Sequence, residues 1–210
     1  DQLVISDFRN LTVGNVPLSS EICFLVCDTG TKHSLGESDY NVRRQACERS
    51  AAFFAENLSH PVSALRDVSM EEWQSLSECM NPEDARRSAH VVGENTRVLQ
   101  AQELLEEGKI EEFGLLMFES HDSSRYNFEN SCRELDVIVD AAVDNRKVLG
   151  ARLSGGGFGG SAVLLLRPED VDSVIADISG TYRNQIGTGF KAFTIDASDG
   201  ANAFPYGEVN

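Results

Sequence analysis

The sequence predicts an α+β protein, and three observations support that fold class. The last third of the chain reads as helix, strand, strand, helix, strand. Helix signals dominate the middle of the chain, so helices and strands are grouped rather than strictly alternating. A glycine-rich segment at residues 150–160 follows a helix and a short strand and precedes another strand. That order excludes a doubly wound dinucleotide-binding fold, in which the glycines lie between a strand and a helix.

Composition restricts the classes of function that the chain can have. Of its 210 residues, 41% are apolar and 25% are charged, which is ordinary for a globular protein. The net charge of −16 argues against nucleic-acid binding, which needs a basic stripe. The two pairs of adjacent arginines, Arg43-Arg44 and Arg86-Arg87, are expected on solvated helix faces. The longest apolar run, residues 161–166, is too short to span a bilayer, and no secretory signal is visible.

Cysteine and histidine usage indicates a reducing compartment and no metal site. The five cysteines are an odd number without a CxxC pair, so free thiols and a cytoplasmic location are expected. Cys23 and Cys27 lie four residues apart on a predicted strand, face the same side, and are expected to pack in the core. The four histidines are scattered without metal-ligand spacing, and no metal ligand is predicted.

The first third contains two short predicted strands and one long helix. The strands cover residues 2–6 and 22–27 and are separated by turn residues at 14–17. A loop is expected at 29–33, before a helix over residues 40–58 that is capped by Ser38 or Asp39. Arg43 lies on the apolar arc of this helix, where its side chain would either extend to solvent or be paired inside, and we favour pairing. Because the sequence begins inside a strand-like run without a methionine, we expect a piece of a longer protein.

The remaining elements follow from capping signals and apolar periodicity. Asn81 caps a helix with Pro82 at its first position, which ends near Gly108. Another helix is predicted over residues 110–120, and a capping box at residues 131–134 starts a helix that continues to Leu149. Strands are predicted at 151–153 and 162–166, a helix after Pro168, and a last strand at 190–195. Residues 204–210 are expected to be a loose tail.

Two segments are candidates for chemistry. Five of the six residues 155–160 are glycine, which costs backbone entropy unless the chain needs positive φ or a close approach. The main-chain amides there would suit an anion-binding nest. The alternative is a wide hairpin turn without a ligand. Residues 31–44 form a polar loop that leads into a helix, and they would present Tyr40 and Lys32 to a polar ligand. The alternative is an exposed connection.

Together these segments resemble the galactokinase branch of the GHMP family of small-molecule kinases. Residues 32–44 are similar to the stretch that follows that family's inter-lobe strand, and residues 150–160 to its third motif. Residues 90–99, 120–136 and 197–201 match in the same order. The resemblance implies a ferredoxin-like C-terminal domain with extra helices over residues 31–210. Residues 1–30 would then be strands that belong to, or border, an N-terminal lobe that is missing from this sequence.

The resemblance also implies a reaction and its site residues. The family transfers the γ-phosphate of ATP to the C1 hydroxyl of galactose, and Mg²⁺ neutralises phosphate charge. Tyr40 would contact the sugar hydroxyls, and Lys32 would add positive charge near the active cleft. The glycine loop would lie near the phosphates and pack against the phosphate loop of the missing lobe. It would consist of Ser154, Gly155, Gly156, Gly157, Phe158 and Gly159.

No catalytic residue is assigned in this sequence. The family's sugar-gripping Glu-His-x-Asp segment, its PxxxGLSSSA phosphate loop and its catalytic aspartate are not found among the 210 residues. The isolated chain is therefore expected to be inactive, and ATP and Mg²⁺ are expected to be bound mainly by the missing lobe. Apolar surface that normally meets that lobe would be exposed and would favour a homodimer.

Other interpretations stay open. One is a non-catalytic, sugar-sensing regulator with the same fold, and another is an acidic α+β interaction domain with a structural glycine turn. The sugar is open as well, and galactose, N-acetylgalactosamine, arabinose and a uronic acid are all candidates. The expected partners are a small-molecule sugar, ATP and the missing lobe, and neither nucleic acid nor membrane is expected.

Overall fold

The computed structural model describes residues 2–32 and 36–195, and the side chains of residues 2–31 and 39–195. The resemblance at residues 33–35 and 197–201 and the tail expected at 204–210 lie outside the described residues. The strands are β1 (Gln2–Asp7), β2 (Thr12–Pro17), β3 (Cys23–Lys32), β4 (Val148–Leu153), β5 (Gly159–Leu166) and β6 (Lys191–Ile195). The helices are α1 (Gly36–Asn57), α2 (Met70–Leu76), α3 (Pro82–Glu106), α4 (Ile110–Asp122), α5 (Arg133–Val143) and α6 (Val171–Ile186).

Four strands form one antiparallel sheet in the order β4-β5-β3-β6. Along the chain, β3, α5, β4, β5, α6 and β6 make a βαββαβ unit, which is the expected ferredoxin-like arrangement. Helices α1 to α4 are inserted between β3 and α5. The α+β prediction is therefore confirmed, and the extra helices are a single insertion after the first strand of the sheet.

Strands β1 and β2 form a separate two-stranded ribbon. The prediction of a turn at residues 14–17 was wrong, because Thr12, Val13 and Val16 extend along β1 and place the turn at residues 8–11. Residues 23–30, by contrast, lie in β3, between β5 and β6 of the large sheet. A division of the chain at residue 30 stays a prediction.

Apolar side chains pack against both faces of the large sheet. Helices α5 and α6 lie on one face, where the core includes Leu25, Cys27, Leu135, Ile138, Leu153, Leu164, Ile178 and Tyr182. Helix α4 packs on the other face against Leu149 and Leu165 through Phe113 and Met117. Gly114 of α4 and Gly150 of β4 touch main chain to main chain, since a Cβ on either would overlap the other element. The helix therefore lies unusually close to the sheet.

Several predicted boundaries need correction. Helix α1 begins at Gly36, earlier than a cap at Ser38 or Asp39 would allow. The loop expected at residues 29–33 is strand up to Lys32, because β3 pairs with Gly159 across a register shift. Helix α5 begins after Cys132 without a capping box, and its predicted continuation to Leu149 instead enters β4. The hydroxyl of Ser131 donates to Asp136 Oδ1 (2.5 Å).

Other predictions are confirmed. The side chain of Asn81 accepts a hydrogen bond from the amide of Glu83 (2.9 Å), with Pro82 in the first turn of α3. Arg43 is half-buried and, as expected, has partners within the protein, the carbonyls of Phe128 and Glu129. The prediction that both pairs of adjacent arginines lie on solvated helix faces is only partly correct, because the side chain of Arg87 is 5% exposed. Within the described residues, no helix combines the length and the apolar character that a membrane span requires.

Candidate functional site

The glycine loop, residues 154–159, connects β4 to β5 at one end of the large sheet, and its last residue, Gly159, is also the first residue of β5. Left-handed backbone explains why glycine dominates this segment. Positive φ is found at Gly155 (75°), Gly157 (80°), Phe158 (58°), Gly159 (129°) and Gly160 (80°). Phe158 is one of few non-glycine residues with positive φ here, so its backbone must be held by its surroundings.

Asn130 is the residue that holds the loop. Its main-chain oxygen accepts a hydrogen bond from the amide of Phe158 (2.6 Å), and its Nδ2 donates to the carbonyl of Gly156 (3.0 Å). A Cβ on Gly157 would overlap the main-chain oxygen of Asn130, so only glycine fits there. Asn130 is buried, and it lies just after a π-helical segment at residues 123–128. The sequence analysis missed this residue because nothing local to it signals a contact with residues 156–158.

Arg43 of α1 holds the segment that carries Asn130. Its Nε donates to the carbonyl of Phe128 (2.8 Å) and its Nη2 to the carbonyl of Glu129 (2.5 Å). The guanidinium carbon lies 4.7 Å from the centre of the Phe158 ring, in a cation–π contact. Carbonyls at the end of a helical segment lack partners within that segment, and the guanidinium of Arg43 supplies them. Arg43 therefore touches both the glycine loop and the segment beneath it.

A second arginine completes this support. Arg87 of α3 donates from Nη1 to the carbonyl of Asn127 and from Nη2 to Glu129 Oε2, both at 2.6 Å. The hydrogen bond from Arg87 is the main reason why the pKa of Glu129 is lowered. Glu129 has left-handed backbone (φ 53°) directly before Asn130. The two arginines thus fix the turn that presents Asn130 to the loop.

The residues predicted to bind the sugar lie beside this assembly. Lys32 is the last residue of β3, and its Cα is paired in register with Gly159. The Lys32 side chain lies outside the described side chains. Tyr40 is 61% exposed on α1, one turn before Arg43. The structure therefore brings the main chain of Lys32 to the end of the glycine loop, and joins the helix of Tyr40 to the same loop through Arg43.

The base of the loop is tied to the sheet and to the helices below it. The hydroxyl of Thr29 in β3 donates to the carbonyl of Gly160 (2.7 Å). On the other side, the amide of Leu153 donates to Nδ1 of the buried His121 (3.1 Å). Because Nδ1 accepts this hydrogen bond, the ring hydrogen lies on Nε2, which is 3.3 Å from Asp136 Oδ1.

The carboxylate of Asp136 is held in its charged form. Burial would raise its pKa, but the contacts with His121, Ser131 and Arg125 outweigh burial and keep that pKa below its usual value. His121 seemed isolated in the sequence analysis, because its partners lie on β4 and α5 and are distant in sequence. Its contacts fix the strand that immediately precedes the glycine loop.

The chemical capacity of this site lies in its main-chain amides. Gly155 and Gly157 make no hydrogen bond with any part of the chain that the structure describes. A Cβ on Gly155, Gly156 or Gly160 would meet nothing within 4 Å, so one side of the loop is open. Free amides in such a turn bind anions, and phosphate oxygens fit them. Over residues 2–32 and 36–195, no group of three His, Cys, Asp or Glu side chains is arranged to hold a metal ion.

A cavity with a volume of about 1080 Å³ lies away from the glycine loop, between the β1–β2 ribbon and helices α1 and α3. Its arginines are already paired, Arg44 with Glu48 and Arg66 with Asp7. Because these charges are neutralised locally and most of the wall is apolar, we place the candidate site at the glycine loop instead.

Comparison with known proteins agrees with this geometry. The family described as GHMP kinases C terminal matches residues 101–184. The galactokinase of Glaesserella parasuis is 38% identical over 204 residues, which are 95% of this chain and 52% of that protein. The galactokinase of Bos taurus is 38% identical over 205 residues, which are 97% of this chain and 50% of that protein. The chain thus spans about half the length of these relatives.

Solved structures show the same relation. The crystal structure of Lactococcus lactis galactokinase complexed with galactose has a TM-score of 0.86 and 26% identity, and covers 92% of this chain and 50% of that chain. The crystal structure of L. major mevalonate kinase in complex with R-mevalonate shares the fold, with a TM-score of 0.53 and 21% identity, and covers 95% of this chain and 50% of that chain. The chain therefore has the GHMP kinase C-terminal fold, and over nearly its whole length it is similar to galactokinases.

Proposed function

We propose that this chain is the C-terminal lobe of a galactokinase-like sugar kinase, which transfers the γ-phosphate of ATP to the C1 hydroxyl of galactose. The observation that carries the proposal is the glycine loop, whose free Gly155 and Gly157 amides are fixed beside the helix of Tyr40. Relatives at 35–38% identity are galactokinases, and a structurally similar galactokinase was crystallised with galactose.

Each predicted site residue has a role in this proposal. The exposed hydroxyl of Tyr40 contacts the sugar hydroxyls, and Lys32 adds positive charge next to Gly159. The amides of the glycine loop donate to phosphate oxygens of ATP, where negative charge spreads in the transition state. The loop is pre-organised by Asn130, so little reordering is needed when phosphate binds. Mg²⁺ would neutralise phosphate charge, but the described side chains offer no ligand set for it, and we assign no magnesium ligand to this chain.

The proposal includes a statement about the isolated chain. It lacks the phosphate loop and the catalytic aspartate that the family resemblance requires, and it spans about half of its relatives. We therefore expect the 210 residues alone to be inactive. We also propose a cytoplasmic location, since no disulfide is formed among the described residues. Burial raises the pKa of Cys27 to about 12, so this thiol is inert core rather than a nucleophile.

The first experiment is the intact mass and N-terminal sequence of the protein from its native source. A product roughly twice the size of this chain, as the relatives suggest, would then be assayed for ATP-dependent phosphorylation. Galactose, N-acetylgalactosamine, arabinose and a uronic acid would be compared, with galactose expected to react fastest. Tyr40→Phe should raise the KM for galactose.

Two results would contradict the proposal. A full-length protein that binds galactose but forms no phosphate ester would be a sugar-sensing regulator. A native product of 23.0 kDa would mean a stand-alone domain, for which a partner chain or a binding role becomes the leading explanation.

A further inference from the structure

Arg43 makes a set of contacts that connects two distant parts of the chain. Its guanidinium bonds to the carbonyls of Phe128 and Glu129 and lies over the ring of Phe158. The same guanidinium donates from Nη1 to the carbonyl of Asp39 (3.0 Å), the residue directly before Tyr40. One side chain therefore binds the start of the Tyr40 helix, the turn that holds Asn130, and the glycine loop itself.

Only a guanidinium can make this set of contacts. Its planar fork presents donors in fixed directions and its face stacks on an aromatic ring, whereas a lysine ammonium offers a single point of attachment. Burial, together with the nearby charge of Arg87, lowers the pKa of Arg43, and the carboxylates of Asp39 and Glu129 oppose that effect. No carboxylate within the described residues forms an ion pair with Arg43, so its direct contacts are with three main-chain carbonyls and the ring of Phe158.

The next residue provides a natural contrast. Arg44 is half exposed and pairs with Glu48 one turn further along the same helix (2.7 Å). Within the described residues, the Arg44 side chain makes no hydrogen bond or ion pair with residues 123–130 or with the glycine loop. The two adjacent arginines therefore have the same local sequence and the same helix, but only Arg43 reaches the loop.

We propose that Arg43 is a positioning residue that fixes the distance between Tyr40 and the glycine loop. This inference rests on the proposed function, in which Tyr40 contacts the sugar and the loop amides contact phosphate. In-line transfer needs the acceptor hydroxyl and the phosphate to be held in a narrow range of geometry. By binding the first turn of α1 and the loop at once, Arg43 sets the spacing of the two halves of the site.

The first test needs no activity. Amide hydrogen exchange would be measured on the 210-residue chain as wild type, Arg43→Lys and Arg44→Lys. Arg43→Lys should speed exchange about tenfold both at the Phe158 amide, which donates to the main-chain oxygen of Asn130, and at residues 39–42, and leave the β5 amides at 163–166 unchanged. Arg44→Lys should match the wild type at all these positions.

Two patterns would overturn the linkage. Unchanged exchange in Arg43→Lys would mean that the contacts carry no restraint, and faster exchange that includes β5 would mean a general loss of stability. If Arg43→Lys does not fold, Phe158→Leu removes the ring contact but leaves the hydrogen-bonding fork intact. That variant should speed exchange of the amide at position 158 by a smaller factor, and unchanged exchange there would also refute the linkage.

The second test uses the full-length kinase. Arg43→Lys should lower kcat by roughly tenfold to a hundredfold and change the KM for galactose much less, whereas Arg44→Lys should change neither. An active wild type whose Arg43→Lys variant keeps its kcat would overturn the positioning role. A wild type that phosphorylates none of the sugars would instead remove the proposed function, and the exchange experiment would still decide whether Arg43 links the two segments.

Discussion

At the scale of single residues, the protein contains an imidazole that stays neutral because it is buried. The ring of His90 stacks on that of Phe128 at 4.6 Å, and its Nδ1 lies 3.0 Å from the hydroxyl of Ser123. Burial lowers the pKa of His90 to about 4; Glu94 opposes this, while the nearby arginines, including Arg97, add to it. The ring therefore supports the same segment that Arg43 and Arg87 bind.

This pKa makes stability depend on pH in a defined direction. In the unfolded chain His90 takes up a proton near pH 6.5, whereas in the folded protein it does so only near pH 4. Between these values the unfolded state binds more protons, so stability falls as the pH falls. We expect His90 to remove about 2 kcal/mol between pH 7.5 and pH 5.

The measurement is urea unfolding of the wild type and of His90→Gln at both pH values. The variant should lose less stability than the wild type on acidification, because its amide does not titrate. His60 acts in the opposite direction, since its hydrogen bond to Glu72 raises its pKa, and it is present in both proteins. Equal losses in the two proteins would show that His90 is not the titrating group.

At the scale of elements, the contact between α4 and β4 depends on two glycines. Gly114 lies inside α4, where glycine is a poor helix former, and a Cβ there would overlap the carbonyl of Leu149. Its facing residue Gly150 is equally restricted by Gly114. Close packing thus explains a glycine that helix propensity alone would disfavour.

A pair of substitutions separates packing from propensity. Gly114→Ala should destabilise the protein by about 2 kcal/mol, because main chain rather than a flexible side chain opposes the new methyl group. Gly180→Ala in α6 is the matched control, since a Cβ there meets nothing within 4 Å. It should stabilise by about 0.5–1 kcal/mol.

Chemical denaturation of both variants would measure these changes in the free energy of unfolding. Stabilisation by Gly114→Ala would mean that the main chains of α4 and β4 are not in close contact at this position.

The elements also show which features the sequence predicts well. Helices α3 and α6 follow from local signals, namely the cap at Asn81 and the periodic apolar face that includes Val174 and Ile178. Strand β2 was missed because its pairing with β1 overrides the turn character of Gly14 and Asn15. The candidate site divides in the same way. The glycines and Tyr40 are visible in the sequence, whereas Asn130 acts through contacts between distant segments that no local pattern reports.

At the scale of the whole molecule, one part of the sheet remains uncovered in the described structure. Phe193 and Ile195 of β6 are 53% and 49% exposed, and they lie opposite Val26 and Phe24 in the register with β3. Helix α4 covers the β4 and β5 side of this face and leaves the outer side open. Adjacent exposed apolar side chains of this kind favour association.

We therefore predict that the isolated chain forms a homodimer through this face. The net charge of −16 opposes association, so added salt should strengthen the dimer by screening that charge. Sedimentation equilibrium at low and high salt would measure it. Phe193→Glu should abolish the dimer, whereas Leu115→Gln on α4 is the control and should not change it. A wild type that stays monomeric at high salt would refute this prediction.

The insertion of α1 to α4 into the sheet unit has a consequence for how such domains change over evolutionary time. The glycine loop belongs to the βαββαβ unit, but Arg43 and Asn130, which hold it, come from the inserted part of the chain. If the glycine loop alone were replaced by that of a relative, the new loop would not be matched to Arg43 and Asn130, which hold it in this protein. Substitutions at 43, 130 and 156–158 should therefore be inherited as a group, and an alignment of many relatives should show these columns covarying.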